Sequence, residues 1–469
     1  MEKWVESILK AERKKRKVPL EIKVLNKNNY LYHSTTRWDK TEKKVKKVTK
    51  YIGRITPQGV IECREDNRTI HEYGNSKLLY DVAEEILKPL EESFFYRWKE
   101  VLACAIVKTI QPLPLKLIKS KWEKLHLSQI VDASLSPNTL SDVLREVGKD
   151  YASQKRFFDG MISKSKFLAF DLSSIFSHSE NLHYAEKGYN PDHVYLKQIN
   201  FMLFFSIDKQ LPVMLKPLHG SVREIKALKE AIDDVEAKNC IVVLDRGFAS
   251  YGTPEMLNKK HFSFILPLRR NYKIINYSKN LENYFIYRKR GIKWSKWEKG
   301  NNFLYTFEDV KLRSEEETTF IHLMKEKKRT KSEYLEMLKK FGKISILSDR
   351  DIKGEEIYLM YKQREDVESA FDALKNELEN DKTYLGDDDA VRGYFFISFL
   401  SLYLHYKILK MLKEKNLSDK ISVNELLLEL SKVYQISLGQ KKSLNSIPAK
   451  VEKLISILKI DINPKSLGS

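Results

Sequence analysis

Between Lys166 and Leu268 the chain reads KFLAFDLS (166–173), INFMLFFSI (199–207), LPVMLKPL (211–218), CIVVLD (240–245) and FSFILPL (262–268). These five runs are short, apolar and rich in β-branched and aromatic residues, a composition that predicts buried strands. VREIKALKEAIDDVEA (222–237), between the third run and the fourth, reads as a helix. Asp208-Lys209-Gln210 reads as a hairpin turn between the second and the third. Antiparallel strands, then a helix, then a further strand predict an α/β fold with a mixed sheet.

Towards the C-terminus, residues 268–345 are aromatic, basic and strand-like. KISILSD (343–349) leads into a long helix expected from about Glu355 to Leu378. A more apolar helix is expected from about Asp389 to Leu412, and helical sequence from Val423 onward. Towards the N-terminus, residues 1–24 read as a basic helix or tail. Residues 28–62 read as a β-meander with a turn at Pro57-Gln58-Gly59, and the stretch from Lys77 to about Gly148 reads as helical. Within it, Ser136 is the expected N-cap and Pro137 the first helical residue. Leu140, Val143, Leu144 and Val147 form one face, and Gly148 is the expected end. This segment fits the second half of a helix-turn-helix and an ordinary bundle helix equally well.

Composition narrows the function. The chain has 469 residues, 42% hydrophobic and 32% charged. That suits about three folded domains and excludes wholesale disorder. Lys and Arg number 84 against 64 Asp and Glu, a net charge of +20, which points to a polyanionic partner such as nucleic acid. Residues 1–50 hold sixteen of the cations and six of the acids, half of the surplus. This excess is expected to provide sequence-independent grip. Three cysteines, Cys63, Cys104 and Cys240, form no close pair, as expected in a reducing compartment. The N-terminus lacks the apolar core of a signal peptide. The longest apolar run, Tyr394 to Tyr403, is well short of the roughly 20 residues of a membrane span. A soluble, cytoplasmic protein is therefore expected.

Three acids stand out. Asp171 follows FLAF and Asp245 follows CIVVL, each expected at the tip of a buried strand, where ligands of open α/β sheets bind. An Asp after a strand is also an ordinary turn former. On the expected long helix, Arg364, Glu368 and Lys375 fall at roughly 300°, 340° and 320° from Tyr361, a stripe about 60° wide and about 21 Å long. Met360, Val367, Phe371, Leu374 and Leu378 form an adjoining apolar stripe. An exposed Arg364–Glu368 pair would explain two of the four polar positions. It requires neither the Tyr, the Lys nor the upstream aspartates.

Asp171, Asp245 and Glu368, with Tyr361-x2-Arg364-x3-Glu368-x6-Lys375, resemble the catalytic core of DDE transposases of the insertion-sequence-four family, whose signature has this Tyr-Arg-Glu-Lys spacing. LDRGF (244–248) resembles that family's second-aspartate strand, and VRGYFFISFLSLYLHY (391–406) the helix after its third acid. The resemblance implies an RNase H-like core, a mixed five-stranded sheet with flanking helices, over 160–267 and 343–412. It implies a β-rich insertion at 268–342. An α+β DNA-binding region over 1–150 and a helical C-terminal region over 413–469 complete the expectation. In such a core the three acids would hold two Mg²⁺ or Mn²⁺ ions, since these metals take hard oxygen ligands. Asp171 would bridge the ions, and Asp245 and Glu368 would each complete one. Tyr361, Arg364 and Lys375 would hold DNA phosphates, with Arg246 a further candidate. Trp294 or Trp297, in the aromatic and basic insertion, would stack on a base, although such aromatics also serve as a subdomain's own core. The implied activity is cut-and-paste transposition by a homodimer on paired ends of double-stranded DNA, acting on the nucleoid with no membrane partner. A repressor that has lost transposition and a non-transposing nuclease are the alternatives.

Overall fold

The computed structural model describes residues 2–25, 28–39, 44–62, 68–177, 179–188, 196–235, 240–378, 382–383, 385–438 and 441–463; Cys63 lies outside them. Two compact units are present. One comprises Met1–Thr69 with Ile436–Lys442, the other Ile70–Gln435 with Ser443–Ser469.

In the first unit, helix α1 (Lys3–Arg16) precedes an antiparallel sheet of β1 (Leu20–Leu25), β2 (Asn28–Asp39), β3 (Lys44–Thr56) and β4 (Gly59–Glu62), in that spatial order. The meander and its Pro57-Gln58-Gly59 turn stand as expected. The first 24 residues are not a free tail. Val5 and Leu9 of α1 are buried with Leu20, Leu31 and Ile55, because α1 lays its one apolar stripe on the sheet. Arg13 Nη2 donates to the Leu20 carbonyl at 2.9 Å, tying the helix to the strand that follows it.

The second unit is built on one long helix and one large sheet. Its first helices are α2 (Gly74–Ser93), α3 (Trp98–Ile110), α4 (Leu115–Trp122), α5 (Pro137–Lys149) and α6 (Tyr151–Ile162). The expected N-terminal region reached residue 150, whereas the units divide at Thr69. The reason is that α2, α3 and α5 pack against α13 (Asp388–Glu414) of the same unit. Ser136 caps α5 as expected, its Oγ accepting from the Thr139 amide at 3.1 Å. Leu140, Val143, Leu144 and Val147 are all buried, so α5 is a bundle helix. Gly148 does not end it. A Cβ there would lie 1.7 Å from the Asp389 carbonyl oxygen, and one on Gly393 of α13 would lie 2.0 Å from that of Leu144. The two glycines let the helix backbones touch. In α13, 17 of 27 residues are buried. The helix is long and apolar enough to cross a membrane by length and composition, contrary to the ten-residue run expected, and it forms the centre of a protein core.

All five apolar runs are strands: β5 (Phe167–Ser177), β6 (Lys197–Ser206), β7 (Leu211–His219), β8 (Ile241–Val243) and β9 (Ser263–Leu268), with α7 (Glu224–Asp234) between β7 and β8. Their order is β9-β8-β5-β6-β7. β5, β7, β8 and β9 point the same way, and β6 alone runs antiparallel to its neighbours β5 and β7. After α8 (Thr253–Lys259) and β9, the expected insertion supplies β10 (Asn283–Tyr287), β11 (Arg290–Lys299) and β12 (Asn302–Asp309). It then supplies two helices, α9 (Val310–Lys325) and α10 (Lys331–Met337). Its strands extend the same sheet, since β13 (Lys343–Ser348) pairs with β12 on one side and β9 on the other. Short bridges at Glu186–Lys187 and Lys382–Thr383 complete a sheet of eleven.

The helical pair in the insertion was not expected from its strand-like reading, and its caps are the signal that could have found it. Asp309 accepts from the Lys311 and Leu312 amides, both at 3.0 Å, and Thr330 with Glu333 forms a capping box. Beyond α13, the C-terminal segment is not wholly helical. β14 (Tyr434–Leu438) and β15 (Lys441–Leu444) stand between α14 (Val423–Leu430) and α15 (Ala449–Leu458). Asn445 accounts for the break in helical pattern, its Oδ1 accepting from the Tyr434 amide at 2.7 Å and its Nδ2 donating to the Lys432 carbonyl at 3.0 Å.

Candidate active site

Asp171 does not end its strand. It lies within β5, which continues to Ser177. β8 flanks β5 only from Phe167 to Ala169, and Lys382–Thr383 flanks it only at Phe176 and Ser177. Among the described residues the edge between is unpaired on that side, so Asp171 borders a notch in the sheet. Asp245 lies two residues beyond the end of β8, at the start of a 3₁₀ turn. Ending β8 early therefore both opens the notch and delivers the second acid beside it.

The third acid comes from the segment after β13. The expected continuous helix is instead three pieces: α11 (Gly354–Gln363), α12 (Glu365–Asp372) and a π-helical turn over Ala373–Glu377. At the first junction the Arg364 amide bonds the Tyr361 carbonyl at 3.3 Å and the Val367 amide bonds that of Arg364 at 2.9 Å, a tightened i→i+3 turn. The uniform 100° step fails at both junctions. Tyr361, Arg364 and Glu368 still converge, with Tyr361 buried and Glu368 half exposed. Lys375, on the π turn, has its Nζ 5.8 Å from the ring centroid of Phe201 on β6.

Arg364 is the centre of the site. Its Nη1 lies 3.3 Å from Asp171 Oδ2, and its Nη2 lies 3.6 Å from Asp245 Oδ1 and 2.6 Å from Glu368 Oε1. The Asp245 and Glu368 oxygens are thus no farther apart than those last two distances laid end to end. The side chain of Arg364 is 12% exposed. Burial disfavours its charge, but Asp245, Asp171 and Glu368 together outweigh that and hold its pKa above the ordinary arginine value. Sequence spacing exposed only the Glu368 contact. The other two join residues 193 and 119 positions apart, and no one-dimensional signal carries them.

Burial raises the Asp171 pKa to about 6, against the opposing pull of the Leu172 amide and of Arg364. Tyr361 is likewise raised, first by burial and then by Asp245, while Arg246 beside it pulls the other way through charge and a hydrogen bond. Arg246, exposed on the 3₁₀ turn, therefore belongs to the site's rim.

The insertion tryptophans separate. Trp294 packs on the start of α11, where a Cβ on Gly354 would lie 2.2 Å from its ring, and it neighbours Phe307 at 6.5 Å. It is core of the extended sheet. Trp297 carries Lys279 Nζ 5.0 Å from its ring centroid. Neither has a contact with the three acids among the described ones. From the same stretch, Arg288 Nη1 reaches Glu365 at 3.5 Å, three residues before Glu368.

Three converging carboxylates are hard oxygen donors suited to Mg²⁺ or Mn²⁺. Among the described residues no three acids or histidines are close enough to ligate an ion as they stand, because the guanidinium of Arg364 lies between them. The chemistry of the donor set suits divalent cations, and the Arg364 guanidinium stands among the three carboxylates.

Asp171 also gives the fold a pH dependence. Its folded pKa, about 6, lies above the ordinary 3.9 or so of an unfolded chain. The folded state therefore binds the extra proton between those values, and stability falls as pH rises through 6. Without metal, Asp171→Asn is expected to flatten this dependence. Its gain over the parent should reach at most about 3 kcal/mol above pH ~7 and vanish near pH 4. Urea midpoints in EDTA across that range measure it; parallel curves would remove the assignment.

A family model described as "Transposase DDE domain" matches residues 162–404, just over half of the chain. No curated protein sequence matches. Among solved structures, one titled as a cryo-EM structure of the piggyBac transposase synaptic complex with hairpin DNA is similar over 84% of this chain and 86% of that one, at 12% identity and a TM-score of 0.41.

Proposed function

The chain belongs to the family of transposases with a DDE domain, and we propose that it cuts DNA at the ends of a mobile element and joins those ends to new DNA. The observation that carries the proposal is the convergence of Asp171, Asp245 and Glu368 on one guanidinium from three separate elements. The strand order β9-β8-β5-β6-β7, with β6 alone antiparallel to the other four, supports reading the core as RNase H-like.

When bound, two divalent cations would supply charge to the attacking and leaving oxygens of an in-line phosphoryl transfer. Asp171 would contribute to both, Asp245 and Glu368 to one each. Arg364, released from the acids, offers a planar fork to a phosphate. Tyr361 with Arg246, and Lys375 from the π turn, would hold the neighbouring backbone. In the cutting step a water oxygen bonds to phosphorus, the P–O3′ bond breaks, and the 3′ oxygen leaves as a hydroxyl. In the joining step that hydroxyl attacks a target phosphate and displaces another 3′ oxygen, one phosphodiester exchanged for another. A homodimer on paired ends and action on the cytoplasmic nucleoid belong to the same proposal.

The test uses the full chain with labelled duplexes from the DNA flanking its coding region, in Mg²⁺ or Mn²⁺. Strand cuts and joined products are expected. Cuts without joining would make the protein a nuclease, and salt-sensitive binding without cuts would make it a repressor.

A further inference from the structure

The N-terminal sheet carries a feature that the catalytic reading leaves unused. β1 covers β2 only from Asn28 to His33, and β4 covers β3 only from Gly53 to Thr56. Beyond those limits Ser34–Asp39 and Lys44–Thr49 pair as strands, among the described residues, with each other, and the Ser34 amide at the ribbon's base also donates to the Pro19 carbonyl at 3.0 Å. Six residues per strand make a ribbon about 20 Å long. Lys44 to Val48 are exposed throughout, and Trp38 (57%), Val45 (61%) and Val48 (45%) expose apolar side chains. A two-stranded ribbon with exposed apolar groups is marginal alone in water, which argues for a partner.

The ribbon's own chemistry selects that partner. Residues 34–39 and 44–50 include five Lys or Arg and a single acid, Asp39. Lysines on an exposed edge discourage pairing with a second copy and favour a polyanion. They are also ordered by face. Side chains alternate along a strand, so Lys44, Lys46, Val48 and Lys50 share one face of β3. On the other face, Lys47 pairs with Glu21 at 2.6 Å and Thr49 accepts from Lys23 at 3.1 Å, which ties that face back to β1.

We propose that this ribbon enters the major groove of duplex DNA, with Lys44, Lys46 and Lys50 donating to phosphates and to guanine N7 and O6. The major groove, about 12 Å wide, admits a two-stranded ribbon, and a Lys donor matches those guanine acceptors. The inference rests on the transposase reading for its partner, and it places a duplex-binding element in the compact unit that does not hold the three acids.

The experiment compares the full chain with a Lys44→Ala/Lys46→Ala/Lys50→Ala variant on a 40-base-pair mixed-sequence duplex. Anisotropy titrations over a salt series should show the slope of log K against log salt reduced by about 3, and binding near 0.15 M salt weakened roughly tenfold or more. Dimethyl sulfate should show guanine N7 protected by the parent and unprotected by the variant. Circular dichroism melts of both proteins check that any loss of binding is not a loss of fold.

An unchanged slope with unchanged N7 protection would overturn the inference. A reduced slope with N7 never protected would leave phosphate contact and overturn groove entry. Equal binding of the parent to the single strand of the same sequence would overturn the duplex. Whether the parent cuts DNA in Mg²⁺ is read separately, so failure of the transposase reading and failure of the ribbon appear in different measurements.

Discussion

Glu368→Gln is expected to lower metal-dependent DNA cleavage by about 10³-fold or more while leaving the fold intact. The two halves of that expectation have separate grounds. The Glu368 side chain is 54% exposed, and its one described ion pair is with Arg364. Gln keeps its length and can still accept from that guanidinium, so the surface position costs little. Chemistry is another matter. A neutral amide cannot supply the charge that a divalent cation needs among its oxygen ligands, and stabilisation of the attacking and leaving oxygens depends on that cation. Each tenfold in rate is about 1.4 kcal/mol, so a 10³-fold loss asks about 4 kcal/mol of one carboxylate, in the range of single metal-site effects. Gel assays of strand cutting, with melting curves of both proteins, measure the two halves. Cleavage at the parent's rate by a folded Glu368→Gln protein would exclude this acid from catalysis.

The sequence carries some parts of this site better than others, and the difference is physical. Buried strands announce themselves because apolar composition is local, and all five runs between Lys166 and Leu268 are strands. Asp171 and Asp245 are legible as acids at the end of apolar sequence. Strand pairing, however, decides where a strand stops, and β5 continues six residues past Asp171. The Tyr361–Lys375 spacing is legible as a motif. Its geometry assumes an unbroken helix, and the tight turn at Arg364 and the π turn at Ala373–Glu377 are set by packing on the sheet. The extent of the N-terminal unit is hard to read for a similar reason. An amphipathic helix shows that it has an apolar face without showing what it packs on, and α5 packs on α13, more than 200 residues away. Gly148 illustrates the limit at one residue, since a helix stop and a close helix crossing both call for glycine.

Arg364→Gln is expected to move stability and activity in ways that no other substitution in the site combines. Without metal, the guanidinium is the only described cation paired with Asp171, Asp245 and Glu368. Removing a buried charge's partner costs about 3–5 kcal/mol. Asp245 and Glu368 are 39% and 54% exposed and are screened by water, so only Asp171 carries much of that penalty. A loss of about 1–3 kcal/mol at pH 8 is therefore expected. It should shrink as pH falls towards about 6, because Asp171 without the guanidinium takes up its proton at higher pH than in the parent and then no longer needs a cation. Magnesium should reverse the order of gains. In the parent, a divalent ion must displace Arg364 before the three carboxylates can ligate it; in the variant that competitor is gone. A ligand stabilises the state it binds according to its affinity, so titrating Mg²⁺ should raise the variant's melting temperature more than the parent's. Cleavage should nevertheless fall, by ~10²-fold or more, because the fork that would hold the phosphate is lost. Tighter metal binding with slower chemistry is the signature of an arginine that competes with the metal in the resting protein and serves the substrate in the working one. Equal Mg²⁺ shifts in the two proteins would show that Arg364 does not stand in the metal's place.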